Sequence, residues 1–206
     1  MPSCGYHPRF FQRGPGSASL AAVEIPGLGP VVKDERFGWY TSAPRPLAAL
    51  DGATVQISLD GFDDDPDQNH YLAVVNEFLH QDASMLLAAT TAVFDYYQDT
   101  MASVVADQDW DYYLEIPDPE QVWHHVTIGS NLYVERDSAD GLVYLSIECE
   151  CDWEAEHGLQ IVIREGRAVT KVGPYDGHLT NNAAWGENGP DVVYRRINPP
   201  GRPSTR

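Results

Sequence analysis

The sequence predicts an α+β protein in which an antiparallel β-meander sheet carries an αα-hairpin packed on one face. Three observations predict this class: short alternating segments at both ends of the chain, apolar residues at helical spacing between them, and turn-like links late in the chain. The 206 residues are compatible with a single domain. We expect a flexible tail over 1–20, one α+β domain over 21–187 and a basic Pro/Arg-rich tail over 188–206.

The first part of the domain predicts short strands. The alternation of Val55, Ile57 and Leu59 with polar residues has the period of a half-buried strand. Earlier candidates are Val23–Ile25, Val31–Val32 and Phe37–Thr41.

The middle of the chain predicts two helices. Asp65-Pro66 is a helix-start pattern, and apolar residues from Tyr71 to Leu79 then recur at helical spacing. A second helix is expected from Asp82 or Ser84 to about Val104. Because only His80 and Gln81 separate them, the two helices are expected to form the antiparallel hairpin.

Strands return after the helices, and their links contain Gly, Ser, Asp or His. Consecutive strands joined by short turns pair antiparallel, which predicts the meander. The strand candidates are Tyr112–Ile116, Trp123–Ile128, Leu132–Arg136, Leu142–Trp153, Leu159–Arg164 and Ala168–Val172. The predicted turns are Gly129-Ser130, Asp140-Gly141, His157-Gly158, Glu165-Gly166 and Asp176-Gly177.

Composition excludes several classes of protein. A formal net charge of −18 argues against a direct nucleic-acid partner, because phosphate binding needs clustered cations. No run of about 18 apolar residues indicates a membrane span, so no membrane partner is expected. The N-terminus lacks a secretory pattern and the three cysteines form no disulfide framework, which predicts a cytoplasmic protein with reduced thiols.

The negative charge is unevenly distributed. Residues 46–135 contain 17 acidic side chains and no Lys or Arg. From Ile147 to Glu154, apolar and acidic residues alternate, so a strand directs the acidic ones outward. The predicted partner-binding residues are Glu148, Glu150, Asp152, Glu154 and Glu156, together with Asp109 and Asp111 beside aromatic residues that would suit core packing or interface anchoring. Cross-strand pairing with Arg164, Arg167 and Lys171 is the alternative interpretation of this row.

Two turns carry candidate catalytic residues. Glu156-His157-Gly158 and Asp176-Gly177-His178 each place an imidazole near a carboxylate, as a metal site or general base requires. The four candidates are His157, His178, Asp176 and Glu156. Simple turn formation explains the same residues, and no metal or cofactor is predicted.

Several motifs resemble an uncharacterised bacterial domain family. Its CDWExEHGL…KVGPYDGHL signature is similar to residues 151–159 and 171–179, and the resemblance extends over roughly residues 24–182. The resemblance implies no established activity and no catalytic residues. Relatives of this general kind include immunity-like proteins that neutralise toxins.

Two functional hypotheses follow. The first is an immunity-type protein that occludes a basic cognate bacterial toxin through its acidic surface. The alternative is a metal-assisted hydrolase that uses the His/Asp/Glu residues of the two turns. A cation-buffering acidic domain without a protein partner is a third possibility.

Overall fold

The computed structural model describes residues 22–186 and 190–197, and it has an α+β architecture. Its nine strands form one sheet in the order β1-β2-β3-β5-β6-β7-β8-β9, and β4 pairs with β5. The strands are β1 (Ala22–Ile25), β2 (Gly29–Lys33), β3 (Tyr40–Ser42), β4 (Arg45–Pro46), β5 (Thr54–Leu59), β6 (Val126–Arg136), β7 (Val143–Cys151), β8 (Leu159–Arg164) and β9 (Ala168–Gly173). The helices are α1 (Gln68–Leu79), α2 (Ser84–Leu87), α3 (Thr90–Asp107) and α4 (Asn181–Trp185).

The sheet is mostly antiparallel, but one central pair is parallel. β5 and β6 run in the same direction, with Ile57 opposite Leu132 and Leu59 opposite Val134. Parallel neighbours need a crossover connection, and the segment that contains α1, α2 and α3 supplies it. The prediction of a purely antiparallel sheet is therefore wrong at this pair. From β6 to β9, each strand pairs antiparallel with the next one in the chain.

The helical region differs in detail from its prediction. Asp67, not Asp65, caps α1 by accepting a hydrogen bond from His70 N at 3.0 Å. The expected second helix is interrupted after α2, and its second part, α3, extends to Asp107. Gln108 ends α3 in the left-handed conformation at φ 57°.

Three predictions for the later strand region are wrong. Tyr112–Ile116 forms no strand, and Trp123 lies in a 3₁₀ helix over Pro119–His125. Gly129 and Ser130 are not a turn but part of β6, at an irregularity between Ile128 and Leu132. A Cβ at position 129 would collide with the Glu148 carbonyl oxygen, so glycine permits this close approach of β6 to β7.

The two faces of the sheet have different environments. One face packs against the helices, and its fully buried side chains include Ile57, Leu132, Ile147 and Ile161. We call the opposite side the open face. It carries a small apolar cluster of Tyr144, Val162 and Leu179, beyond which polar and acidic side chains are exposed.

Part of the C-terminal region packs on the domain. Val172 N on the edge strand β9 donates to the Val193 carbonyl at 2.6 Å, and Tyr194 packs against the core. Residues 190–197 are therefore integrated with the fold, although the sequence assigns them to a tail. The predicted tail over 1–20 lies outside the described residues, as do 198–206. Within 22–186 and 190–197, no helix has the length and apolarity that a bilayer span requires.

Candidate functional site

The predicted alternation of side chains in β7 is confirmed. Ile147, Cys149 and Cys151 are buried on the helix-packed face, whereas Glu148 and Glu150 are exposed on the open face. Strand β7 ends at Cys151, so Asp152, Glu154 and Glu156 lie in the following turn and do not continue the strand. We call Glu148, Glu150, Asp152, Glu154 and Glu156 the acidic row.

The turn after β7 keeps the acidic row together. Glu154 Oε1 accepts hydrogen bonds from the backbone N of Glu156 at 3.0 Å and of His157 at 3.3 Å. Gly158 has φ +61°, and a Cβ there would lie 2.5 Å from the Cys149 carbonyl oxygen. The turn borders a depression of about 880 Å³. All five residues of the acidic row line this depression.

The Lys and Arg side chains of the β8–β9 hairpin do not form ion pairs with the acidic row. Arg167 lies 3.5 Å from Glu77, and Lys171 binds Asp176. Within the described part of the chain, Arg164 forms no ion pair. The row's own partners are imidazoles, because His125 Nδ1 lies 2.9 Å from Asp152 Oδ2 and His157 Nδ1 lies 3.7 Å from Glu154 Oε1. The cross-strand pairing considered from the sequence is therefore absent among the described residues.

Some acidic residues of the stretch 46–135 form ion pairs with Lys or Arg side chains from outside that stretch. Lys33 binds Asp63 at 2.6 Å, and Arg136 binds Asp65 at 2.8 Å. The hydrogen bond from Arg136 holds the pKa of the Asp65 carboxyl below its usual value. Arg196 contacts two acidic residues of α3 in the same way. Other acidic residues of the stretch, including Asp109 and Asp111, have no Lys or Arg partner among the described residues. The acidic row differs from them because it gathers five carboxylate residues around one depression.

Asp109 and Asp111 occupy a separate surface. They flank Trp110 on a short 3₁₀ turn that packs against α3, and both are exposed. Trp110, Tyr112 and Tyr113 are exposed beside them, at 61%, 71% and 47%. This aromatic and acidic surface does not line the depression of the acidic row.

The two histidine turns meet through their backbones. Tyr175 N donates to the His157 carbonyl at 3.2 Å. Within the second turn, His178 Nδ1 lies 3.3 Å from Asp176 Oδ1, as the sequence motif suggests. Asp176 also accepts hydrogen bonds from Lys171 and from His178 N at 2.8 Å, and His157 lies against Glu154 and not Glu156. Within 22–186 and 190–197, no three His, Cys, Asp or Glu side chains are grouped as metal ligands.

A buried polar network beneath the second turn was missed by sequence reasoning. Lys171 is fully buried, and its Nζ donates to Gln160 Oε1 at 2.7 Å, to the His178 carbonyl at 2.8 Å and to Asp176. Burial lowers the pKa of Lys171, although Asp176 opposes this effect. Gln160 Nε2 also donates to Ser146 Oγ at 2.9 Å. The network fixes the 174–179 turn on the open face, and strand alternation alone does not reveal it.

The family comparison matches most of the chain. A model described as a domain of unknown function, DUF6985, covers residues 27–179. The chain belongs to this family. Comparisons with curated proteins and with solved structures gave no match. The DUF6985 match includes the acidic row and both histidine turns. In this DUF6985 domain, Trp153 packs edge-on against Tyr96 and Tyr97, and Lys171 fixes its turn, so both have structural roles.

Proposed function

We propose that this DUF6985 domain is an immunity-type protein of the bacterial cytoplasm that binds and occludes a basic cognate toxin through the acidic row. The single observation that carries the proposal is a set of five carboxylate residues around one depression, four of them exposed, with no Lys or Arg paired to any of them among the described residues. A complementary partner brings the missing cations.

Electrostatics supports this function in two ways. Neighbouring carboxylates on one strand face lie about 7 Å apart and repel by roughly 0.6 kcal/mol at the dielectric of water. A basic partner relieves this repulsion and is also accelerated in its approach by the local field. Occlusion then follows from geometry, because the toxin cations engaged by the row are no longer accessible to an anionic substrate.

The hydrolase alternative has weaker support. Asp176 is engaged by Lys171, and Glu154 is the carboxylate that contacts His157. Glu156 and His178 form no side-chain contact with each other within the described residues. His178 Nδ1 does lie 3.3 Å from Asp176 Oδ1, but the same carboxylate oxygen accepts from Lys171, so this pair supports a turn-fixing role more than a catalytic one.

The experiment measures association with a basic toxin module, to be sought in the reading frame that neighbours this gene. Reversing Glu150 and Asp152 together to Lys is expected to slow association about tenfold or more at low salt, with a smaller effect at high salt. The matched control reverses Glu24 and Glu120, which are exposed outside the depression. Equal effects of the two double reversals would overturn the proposal, as would an association rate that does not depend on salt.

A further inference from the structure

A second, smaller depression adjoins the acidic row on the open face. Its volume is about 230 Å³, and Tyr133 lines both depressions. Three aromatic side chains from separate segments surround it: Trp39 before β3, Tyr133 on β6 and Tyr175 after β9. The other lining residues are Asp60, Glu135, Ser146, Gln160 and Gly177.

The aromatic rings are held at defined angles. Trp39 and Tyr133 have ring centroids 5.5 Å apart and planes inclined by 69°, and Trp39 stacks on Phe37 at 5.1 Å. The indole is therefore supported from one side by Phe37 and meets the phenol edge-to-face. Supported aromatic rings of this kind interact favourably with cations through their π faces.

The two carboxylates of this depression have no internal cation. Asp60 and Glu135 are half-buried, and within the described residues no Lys or Arg pairs with either of them. Arg136, the sequence neighbour of Glu135, binds Asp65, and Lys33 binds Asp63. Burial raises the pKa of Glu135, and the charges of Asp60 and Asp137 raise it further. A half-buried carboxylate among like charges is unfavourable until a cation arrives.

We propose that this depression binds one arginine side chain of the basic partner, with the guanidinium between the aromatic rings and the carboxylates of Asp60 and Glu135. The cavity volume suits one side chain, whereas sites for larger ligands start at about 300 Å³. A planar, weakly hydrated guanidinium stacks on aromatic rings and pairs with carboxylates better than an ammonium does. The inference rests on the proposed function, because it names the group that the partner inserts beside the acidic row.

The test uses the full chain and a small probe instead of the partner. N-acetyl-arginine amide is titrated and followed by two-dimensional NMR, with the Trp39 indole N–H assigned from its loss in Trp39→Ala. N-acetyl-citrulline amide is the neutral comparator of nearly equal shape. We expect the arginine probe to shift the Trp39 signal with an affinity at least about fivefold above that of citrulline. Glu135→Gln is expected to weaken binding about tenfold, with Glu120→Gln as its matched control.

Stability measurements separate binding from misfolding. Because ionised Glu135 is disfavoured by burial, Glu135→Gln is expected to unfold at a slightly higher temperature than the wild type at pH 7. Trp110→Ala is the control for the assignment, because it keeps the Trp39 indole signal and leaves the shift of that signal by the arginine probe unchanged. The proposed arginine site would be overturned if the arginine and citrulline probes bind equally well. It would also be overturned if Glu135→Gln binds the arginine probe as tightly as the wild type does.

The two proposals fail separately. Probe binding at Trp39 together with salt-independent partner association removes the acidic-row proposal and leaves the pocket. If the Glu150/Asp152 reversal does not slow association but the arginine probe still binds, the acidic-row proposal fails and the pocket remains. This separation is possible because neither residue lines the smaller depression.

Discussion

Replacement of Arg196 by alanine is expected to loosen the C-terminal segment from α3. Arg196 Nη1 lies 2.5 Å from Asp95 Oδ1, and its Nε lies 3.2 Å from Asp99 Oδ1. Asp99 also accepts from Tyr194 Oη at 3.1 Å and from Ile197 N at 2.7 Å. Its side chain is 2% exposed and that of Arg196 is 21% exposed. The variant therefore removes the contact between the Arg196 guanidinium and a buried carboxylate.

The magnitude follows from the burial of this pair. Removal of one member of a fully buried ion pair costs about 3–5 kcal/mol. The partial exposure of Arg196 and the hydrogen bonds that Asp99 keeps from Tyr194 and Ile197 reduce this to about 2–3 kcal/mol. For a domain of this size, we expect Tm to fall by about 5–10 °C. Urea and thermal unfolding measure both quantities.

Arg167→Ala is the matched control for Arg196→Ala. Arg167 lies 3.5 Å from Glu77, and the two side chains are 71% and 43% exposed. Its loss is expected to cost less than about 0.5 kcal/mol. If both variants lose equally little stability, the C-terminal segment does not contribute to the fold as described.

Two further predictions concern titration. Because the hydrogen bond from Arg136 keeps the pKa of Asp65 low, its contribution is complete above about pH 4 and is lost as the pH falls through the lowered pKa. Asp65→Asn is therefore expected to lower the free energy of urea unfolding at pH 6 much more than at pH 2, and a deficit that does not change with pH would contradict this. Burial raises the pKa of Cys149 and Cys151 to about 12, so iodoacetamide at pH 7.5 is expected to leave both unmodified until urea unfolds the chain. Mass spectrometry of the labelled peptides measures this, and rapid native labelling of either thiol would refute the stated burial.

Local pattern predicted the strand β8 well, because a short apolar run between glycine turns determines it. Its observed bounds, Leu159–Arg164, equal the predicted ones. Tyr112–Ile116 has equally high strand propensity, but two of its backbone N–H groups donate to side chains of α3 and not to a neighbouring strand. Leu114 N donates to Met101 Sδ at 3.2 Å, and Ile116 N donates to Tyr97 Oη at 2.8 Å. Propensity alone cannot show which partner a backbone group finds.

The candidate site was predictable to a similar extent. The period of two placed Glu148 and Glu150 on an exposed face, as observed. The pairing of cations was not predictable, because Arg196 reaches Asp95 across 101 residues of sequence. The smaller depression also joins distant segments, with Trp39, Tyr133 and Tyr175 brought together only by the folded sheet.

The most direct test of the central claim is the unfolding free energy of the double variant Glu148→Gln, Glu150→Gln at low salt. If the acidic row lacks permanent counter-ions, neutralisation relieves repulsion and raises stability by about 0.5–1 kcal/mol, a gain that shrinks at 0.5 M salt. Asp63→Asn is the contrasting control and is expected to lose stability, because Asp63 binds Lys33 at 2.6 Å and Tyr40 at 2.8 Å. A loss of stability in the double variant would show that the row is already neutralised within the protein and would contradict the account.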